Sequence, residues 1–254
     1  VAVGYGAGTA VTTGVNNTLI GGLAGDALTT GEFNVATGYN ALGSATDTDQ
    51  SVAVGHGALA SLNYSGDSNN TAVGHNAGNL ATTAIQSTFI GAFAGDAVTT
   101  GLANTAIGYN ALSGEDEHGY NTAVGHGALK VQNAGANAYN VAVGASAGLS
   151  VTTGTQNTLI GGEAGDALTT GSSSVALGYR ALTTEDTGSR NVAIGDNALA
   201  ALNYDGNGYN TAIGFYAGAA ATTGTHNTIL GALAGDALTT GSYNVALGWG
   251  ALST

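Results

Sequence analysis

The sequence predicts an all-β chain folded as a parallel β-solenoid, a β-roll of about fifteen coils of 17–19 residues. Three observations predict it. One short unit recurs from end to end, that unit is too short for a helical pair or a propeller blade, and glycine is dense while no 3.6-residue apolar period exists.

The unit reads [VT]-[AL]-[VIL]-G-x-x-A-[GL], then a variable stretch often containing T-T-G, then Asn or Ser. Units, numbered here as coils 1 to 15, begin at residues 1, 18, 35, 52, 71, 88, 105, 122, 141, 158, 175, 192, 211, 228 and 245. Spacings of 17, 17, 17 and 19 recur, so a superperiod of 70 residues overlies the short one. Residues 18–31 and 158–171 differ at a single position. The whole chain, 1–254, reads as one repeat array that begins and ends in mid-pattern, and is expected to be a segment of something longer.

Each part of the unit has a physical reading. The opening triplet (V-A-V, T-A-I, T-L-I) is rich in β-branched residues and predicts a short strand. The fourth residue is glycine in every coil, as at Gly4, Gly55, Gly125 and Gly195. That invariance fits a corner with positive φ or close backbone approach. The seventh is always alanine, as at Ala7, Ala58, Ala128 and Ala198, which predicts a thin interior. Complete coils end in Asn (Asn17, Asn104, Asn244 among them) or Ser, residues suited to left-handed turns and to stacked side-chain ladders.

Strand alternation places the first and third triplet residues on one face and the second on the other. The third position is Val, Ile or Leu except at Thr37, and is assigned to the coil interior. The second is also apolar, mostly Ala, with Leu19, Phe89, Leu159 and Ile229 once per superperiod. A strand apolar on both faces is buried on both. Those four residues are therefore the expected inter-chain contacts of an oligomer, a homotrimer or a filament.

Composition excludes several functions. Only 7% of residues are charged, Lys and Arg number three, and the net charge is −13. Nucleic acid and anionic membrane surfaces need clustered basic residues, so neither is an expected partner. No run approaches the length of a membrane-spanning helix. With no cysteine there is no disulfide framework. No nucleophile elbow, H-E-x-x-H, P-loop or C-x-x-C occurs, so no catalytic residue and no cofactor are expected.

Weaker candidates remain. Asp26, Asp96, Asp166 and Asp236 share one position and read as turn initiators. The acidic stretches Asp47 and Asp49, Glu115 to Glu117, and Glu185 and Asp186 offer too few oxygens each for calcium and read as a solvated edge. His56 and His75 fall in a row otherwise held by Tyr5, Tyr39, Tyr109, Tyr179, Phe215 and Trp249, so an aromatic row is preferred over a metal pair. Every fourth coil carries two extra residues. Tyr64, Tyr139, Tyr204 and Tyr209, in and beside those longer loops, are the candidate recognition surface for a host glycan or receptor. Paired threonines such as Thr12–Thr13 suggest an ice-contact array, but the row breaks in two coils of every four.

The run N-T-A-V-G-H-G-A-L at 121–129, with its relatives at 70–77 and 210–217, resembles the head repeats of trimeric autotransporter adhesins and the repeats of bacteriophage tail fibres. The resemblance covers essentially the whole chain. It implies a left-handed parallel β-roll from each of three chains around a common axis. The role it implies is an extracellular, non-enzymatic stalk or receptor-binding head, on a virion or a bacterial surface. The T-T-G turn is longer than in adhesin repeats, which favours the phage-type fibre; the adhesin and the ice-binding solenoid are the alternatives.

Overall fold

A computed structural model describes residues 1–253. The chain is all-β and forms a parallel β-solenoid, with no helix among the described residues. None is therefore long and apolar enough to cross a membrane. The chain divides into two compact units, one of Val1–Asn121 with Gly135–Asn137, the other of Thr122–Ala134 and the described residues from Ala138 on.

In the first unit the strands are β1 (Ala2–Val3), β2 (Thr18–Ile20), β3 (Val35–Thr37), β4 (Thr48–Asp49), β5 (Val52–Val54), β6 (Gly66–Asp67), β7 (Thr71–Val73), β8 (Thr88–Ile90) and β9 (Thr105–Ile107). The triplet strands pair in parallel in the order β1-β2-β3-β5-β7-β8-β9, and β4 pairs with β6 beside them. The second unit holds β10 (Thr122–Val124), β11 (Val141–Val143), β12 (Thr158–Ile160), β13 (Val175–Leu177), β14 (Val192–Ile194), β15 (Thr211–Ile213), β16 (Thr228–Leu230) and β17 (Val245–Leu247), paired in chain order. Register is coil on coil: Ala72 lies opposite Phe89, and Leu159 opposite Ala176.

The fourth-position glycines behave as the repeat implies. Gly4, Gly55, Gly125 and Gly195 have φ of 135°, 137°, 139° and 133°. A Cβ on Gly4 would sit 2.5 Å from the Gly21 carbonyl oxygen, so coils approach backbone to backbone at this corner. Ala58, Ala128 and Ala198 are wholly buried, and Ala7 is half-buried in the first coil.

The terminal Asn and Ser of each coil form a buried ladder. Asn34 donates its backbone N–H to Asn17 Oδ1 at 2.9 Å, and Ser51 donates likewise to Asn34 Oδ1 at 2.9 Å. Asn17 Nδ2 donates to the Gly31 carbonyl at 2.7 Å, and Asn104 Nδ2 to that of His118 at 2.9 Å. The ladder closes the second unit at Asn244, whose N–H donates to Asn227 Oδ1 at 2.9 Å. These side chains satisfy backbone groups at the seam where no regular strand exists. The left-handed residue is not the Asn, however. It is the residue before it, as at Asn16 (φ 60°), Ala103 (φ 55°) and Tyr243 (φ 62°).

The faces of the triplet are the reverse of the sequence expectation. Leu19, Phe89, Leu159 and Ile229 fill the interior of their own coils, at 2% exposure or less, and are not available to another chain. The physical reason is volume. The interior is so thin that alanine fills the second position in the remaining coils, and the larger side chains sit only where neighbouring positions are glycine. The third position faces outward: Ile20, Val73, Ile90, Leu177 and Leu230 are exposed. Thr37 is polar because its position borders solvent.

Candidate interaction surfaces and polar clusters

Three surfaces and one polar cluster follow from this frame. The first surface is the outward stripe, where first-position Val or Thr and third-position Ile, Val or Leu stand along the parallel sheet, with Thr37 the one polar residue at the third position. Flat strands with apolar side chains on both faces place an interior on one side and an uncovered stripe on the other.

The second is the aromatic row. In the first unit the rings of Tyr39, His56, His75, Phe93 and Tyr109 follow one another, with centroids 5.4, 5.1, 5.0 and 6.1 Å apart, the first two pairs stacked and the last two edge to face. His56 and His75 lie nearly parallel, at 19°. In coil 6 the ring comes from the sixth position, Phe93, because the fifth is Ala92. The second unit has its own row one residue before the Asn ladder. Arg190 Nη1 donates to the Tyr209 hydroxyl at 2.6 Å, and the Tyr209, His226 and Tyr243 rings follow at 5.1 and 4.8 Å.

The third is the set of longer coils. In two of the three longer coils the extended stretch carries an added pairing: Thr48 and Asp49 pair with Gly66 and Asp67. Ser189 and Asn207 form the equivalent bridge in the second unit. The four candidate tyrosines divide between two places. Tyr64 and Tyr204 share a half-buried loop position, whereas Tyr139 and Tyr209 are exposed and belong to the row beside the ladder.

Among the paired threonines, the first member is engaged between coils. Thr12, Thr29, Thr82, Thr99, Thr152 and Thr169 each donate their hydroxyl to a carbonyl of the next coil at 2.8–3.2 Å. Hydroxyls engaged in this way fasten coil to coil.

The acidic stretches are not uniformly a solvated edge. Asp47 lies at the edge, where hydrogen bonds from Ser65 and then Thr46 hold its carboxyl below the usual range. Glu115 and Glu185, by contrast, are fully buried. Both occupy the eleventh position of their coils, where Leu28, Val98, Leu168 and Leu202 stand elsewhere. That substitution pattern was the available sequence signal for them. Glu185 Oε1 accepts the Gly188 N–H at 2.8 Å, and burial pushes its carboxyl pKa up to about 7. Burial also raises Glu115, whose Oε1 accepts the His118 N–H at 3.2 Å. Among the Asp turn initiators, Asp26, Asp96 and Asp236 each bury an Oδ1 that makes no hydrogen bond, while Asp166 Oδ1 accepts from Thr183 at 2.6 Å. Burial raises the Asp96 carboxyl as well.

Compared with family models, curated proteins and solved structures, the chain matches none.

Proposed function

We propose that this chain is a non-enzymatic structural segment of an extracellular fibre assembled from three copies of itself, of the phage tail-fibre type, serving reach and attachment. The observation that carries the proposal is the outward stripe of Val, Ile and Leu on a parallel sheet. Uncovered apolar stripes of this kind mark interfaces. A second copy offers the same residues at the same coil spacing, so its stripe matches throughout, whereas an unrelated partner matches only locally. Three sheets around one axis bury all three stripes together.

The aromatic rows and Tyr139 and Tyr209 favour recognition of a host-surface glycan as a secondary role, because flat sugar faces stack on exposed rings. Light scattering on the purified chain, with and without EDTA, tests the assembly. A mass of three times 24.4 kDa supports the trimer. A soluble monomer with folded circular dichroism refutes it.

A further inference from the structure

We propose that the turn Glu115–His118 is a binding site for a divalent transition-metal ion of the zinc class, with Glu115, Asp116 and His118 as its protein ligands. The ligand-capable atoms of these three residues all lie within 4.8 Å of one another. In a four-coordinate site, ligand atoms about 2.1 Å from the metal sit about 3.4 Å apart. Rotation of the half-buried Asp116 and His118 side chains closes that difference against a fixed Glu115.

The independent observation is the state of Glu115. Its side chain is fully buried, yet Oε2 makes no hydrogen bond. A carboxylate taken out of water without a full set of partners is costly, and such groups are ordinarily paired or bound to metal. His118 Nδ1 lies 3.5 Å from Glu115 Oε1 and is itself buried without a hydrogen bond. Two adjacent unsatisfied groups, one an imidazole nitrogen and one a carboxylate oxygen, are the pair that a borderline cation satisfies together.

The repeat supplies its own comparison. Coil 11 keeps the buried acid and the following aspartate, Glu185 and Asp186, but has Gly188 where coil 7 has His118. Glu185 caps the Gly188 N–H as Glu115 caps that of His118, and its Oε2 is likewise buried without a hydrogen bond, so the feature particular to coil 7 is the buried, unpartnered His118 Nδ1 beside the acid. Capping does not explain the histidine. Coil 3 carries Ala45, Thr46 and Thr48 at these places and offers no ligand set.

One imidazole and two carboxylates suit zinc, manganese, iron, cobalt or nickel, with the remaining position left to water. Calcium takes six to eight oxygens and gains nothing from the nitrogen. Binding would pin a turn on which the neighbouring coil depends. The Asp116 carbonyl accepts the Thr99 hydroxyl at 2.8 Å, and that of His118 accepts Asn104 Nδ2 at 2.9 Å.

Calorimetric titration of the full chain with zinc chloride, in buffer free of chelator, tests the site. One equivalent is expected per chain, with a rise in melting temperature that EDTA reverses. His118→Ala and Asp116→Asn should each weaken binding about tenfold or more, by the scale on which metal sites respond to altered ligands and supports. The double variant His56→Ala/His75→Ala should bind as the parent does. No binding to the parent, parental affinity in His118→Ala, loss of binding in the His56/His75 variant, or equal competition by calcium would each overturn the proposal.

Discussion

The Phe89 ring occupies the space that a side chain at Gly78 would need: a Cβ there would come within 2.7 Å of a ring carbon. Gly95, in the same coil as Phe89, is blocked by the same ring. Leu159 stands in this relation to Gly148 and Gly165, at 2.7 and 2.8 Å, and Leu19 to Gly8 and Gly25, also at 2.7 and 2.8 Å. Coils with alanine at the second position between these groups carry leucine at the eighth instead, as at Leu42, Leu59, Leu182 and Leu199. The 70-residue superperiod is thus a packing period, one large side chain over two glycines followed by two leucines over two alanines.

This relation predicts a reciprocal rescue. Phe89→Ala should cost about 3–5 kcal/mol, the usual penalty for an emptied aromatic site. Gly78→Ala should also destabilise, through overpacking and a left-handed backbone (φ 58°). Combined, the two should lose less than the sum of their separate effects, as urea denaturation of all four chains can determine. Strict additivity would disprove the steric account.

The outward stripe predicts a change of mass without a change of fold. Ile90→Asp and Leu177→Asp place charge on exposed third positions and leave the interior untouched. Light scattering should give monomers for the double variant, while its circular dichroism stays that of the parent. A parental mass would remove the stripe from the interface.

Stability should fall as pH rises through the range set by Glu185. Its folded pKa is about 7 against an ordinary 4.5, chiefly because burial disfavours the charged form. The folded chain therefore binds a proton that the unfolded chain has released. The contribution is fully present below pH 4.5 and is lost as pH rises through 7, a difference of about 3 kcal/mol. Glu115 is shifted the same way and adds to the trend. Urea midpoints at pH 5 and pH 8 should differ in the parent and differ less in Glu185→Gln, which keeps the shape without the charge and leaves the share of Glu115. A midpoint in the parent that rises with pH would contradict this assignment.

Two positions of the repeat, the fourth and the sixth, should respond oppositely to glycine chemistry. Gly91 has φ of 129°, and a Cβ on it would lie 2.5 Å from the Gly108 carbonyl oxygen, so Gly91→Ala should unfold or severely destabilise its unit. Arg180 is left-handed (φ 53°) at the sixth position, which Gly57 and Gly127 occupy in their own coils. Arg180→Gly should relieve about 1 kcal/mol of strain. Against it stands only a half-exposed ion pair with Glu163 at 3.4 Å, worth less than about 1 kcal/mol. Thermal melting should therefore leave Arg180→Gly at or above the parent and Gly91→Ala far below it.

Much of this fold was legible because its rules are strict. Glycine at the fourth position, alanine at the seventh and Asn or Ser at the close recur without exception, and each has a single backbone or packing reason. The faces of the triplet were not legible by bulk. Bulky β-branched residues ordinarily mark a core, but here the interior is narrow enough for alanine and the bulk lies outside. Thr37 pointed to this, since a polar residue is tolerated only on the outer face. The left-handed sixth position was hidden for another reason: Leu23, Phe93, Glu163 and Arg180 carry no sign of the conformation that neighbouring coils impose on them. The buried acids were obscured by company, because Glu115 sits beside Asp116 and Glu117 and reads as one more charge on an edge.

The alternation of glycine and leucine at the eighth position also governs which coils can lie on one another during assembly of the chain. Coils are near copies, so a slipped pairing can keep the strand-to-strand hydrogen bonds of the triplets and much of the Asn ladder. A slip of one or two coils, however, sets Phe89 against leucines and leaves glycines facing alanines, with a clash in one place and a void in another. Only a slip of four coils restores the match. Gain or loss of a whole 70-residue block therefore leaves the interior sequence of large and small residues unbroken, while gain or loss of a single coil does not. A step of four coils is thus the change of length that the interior packing accommodates without a clash or a void.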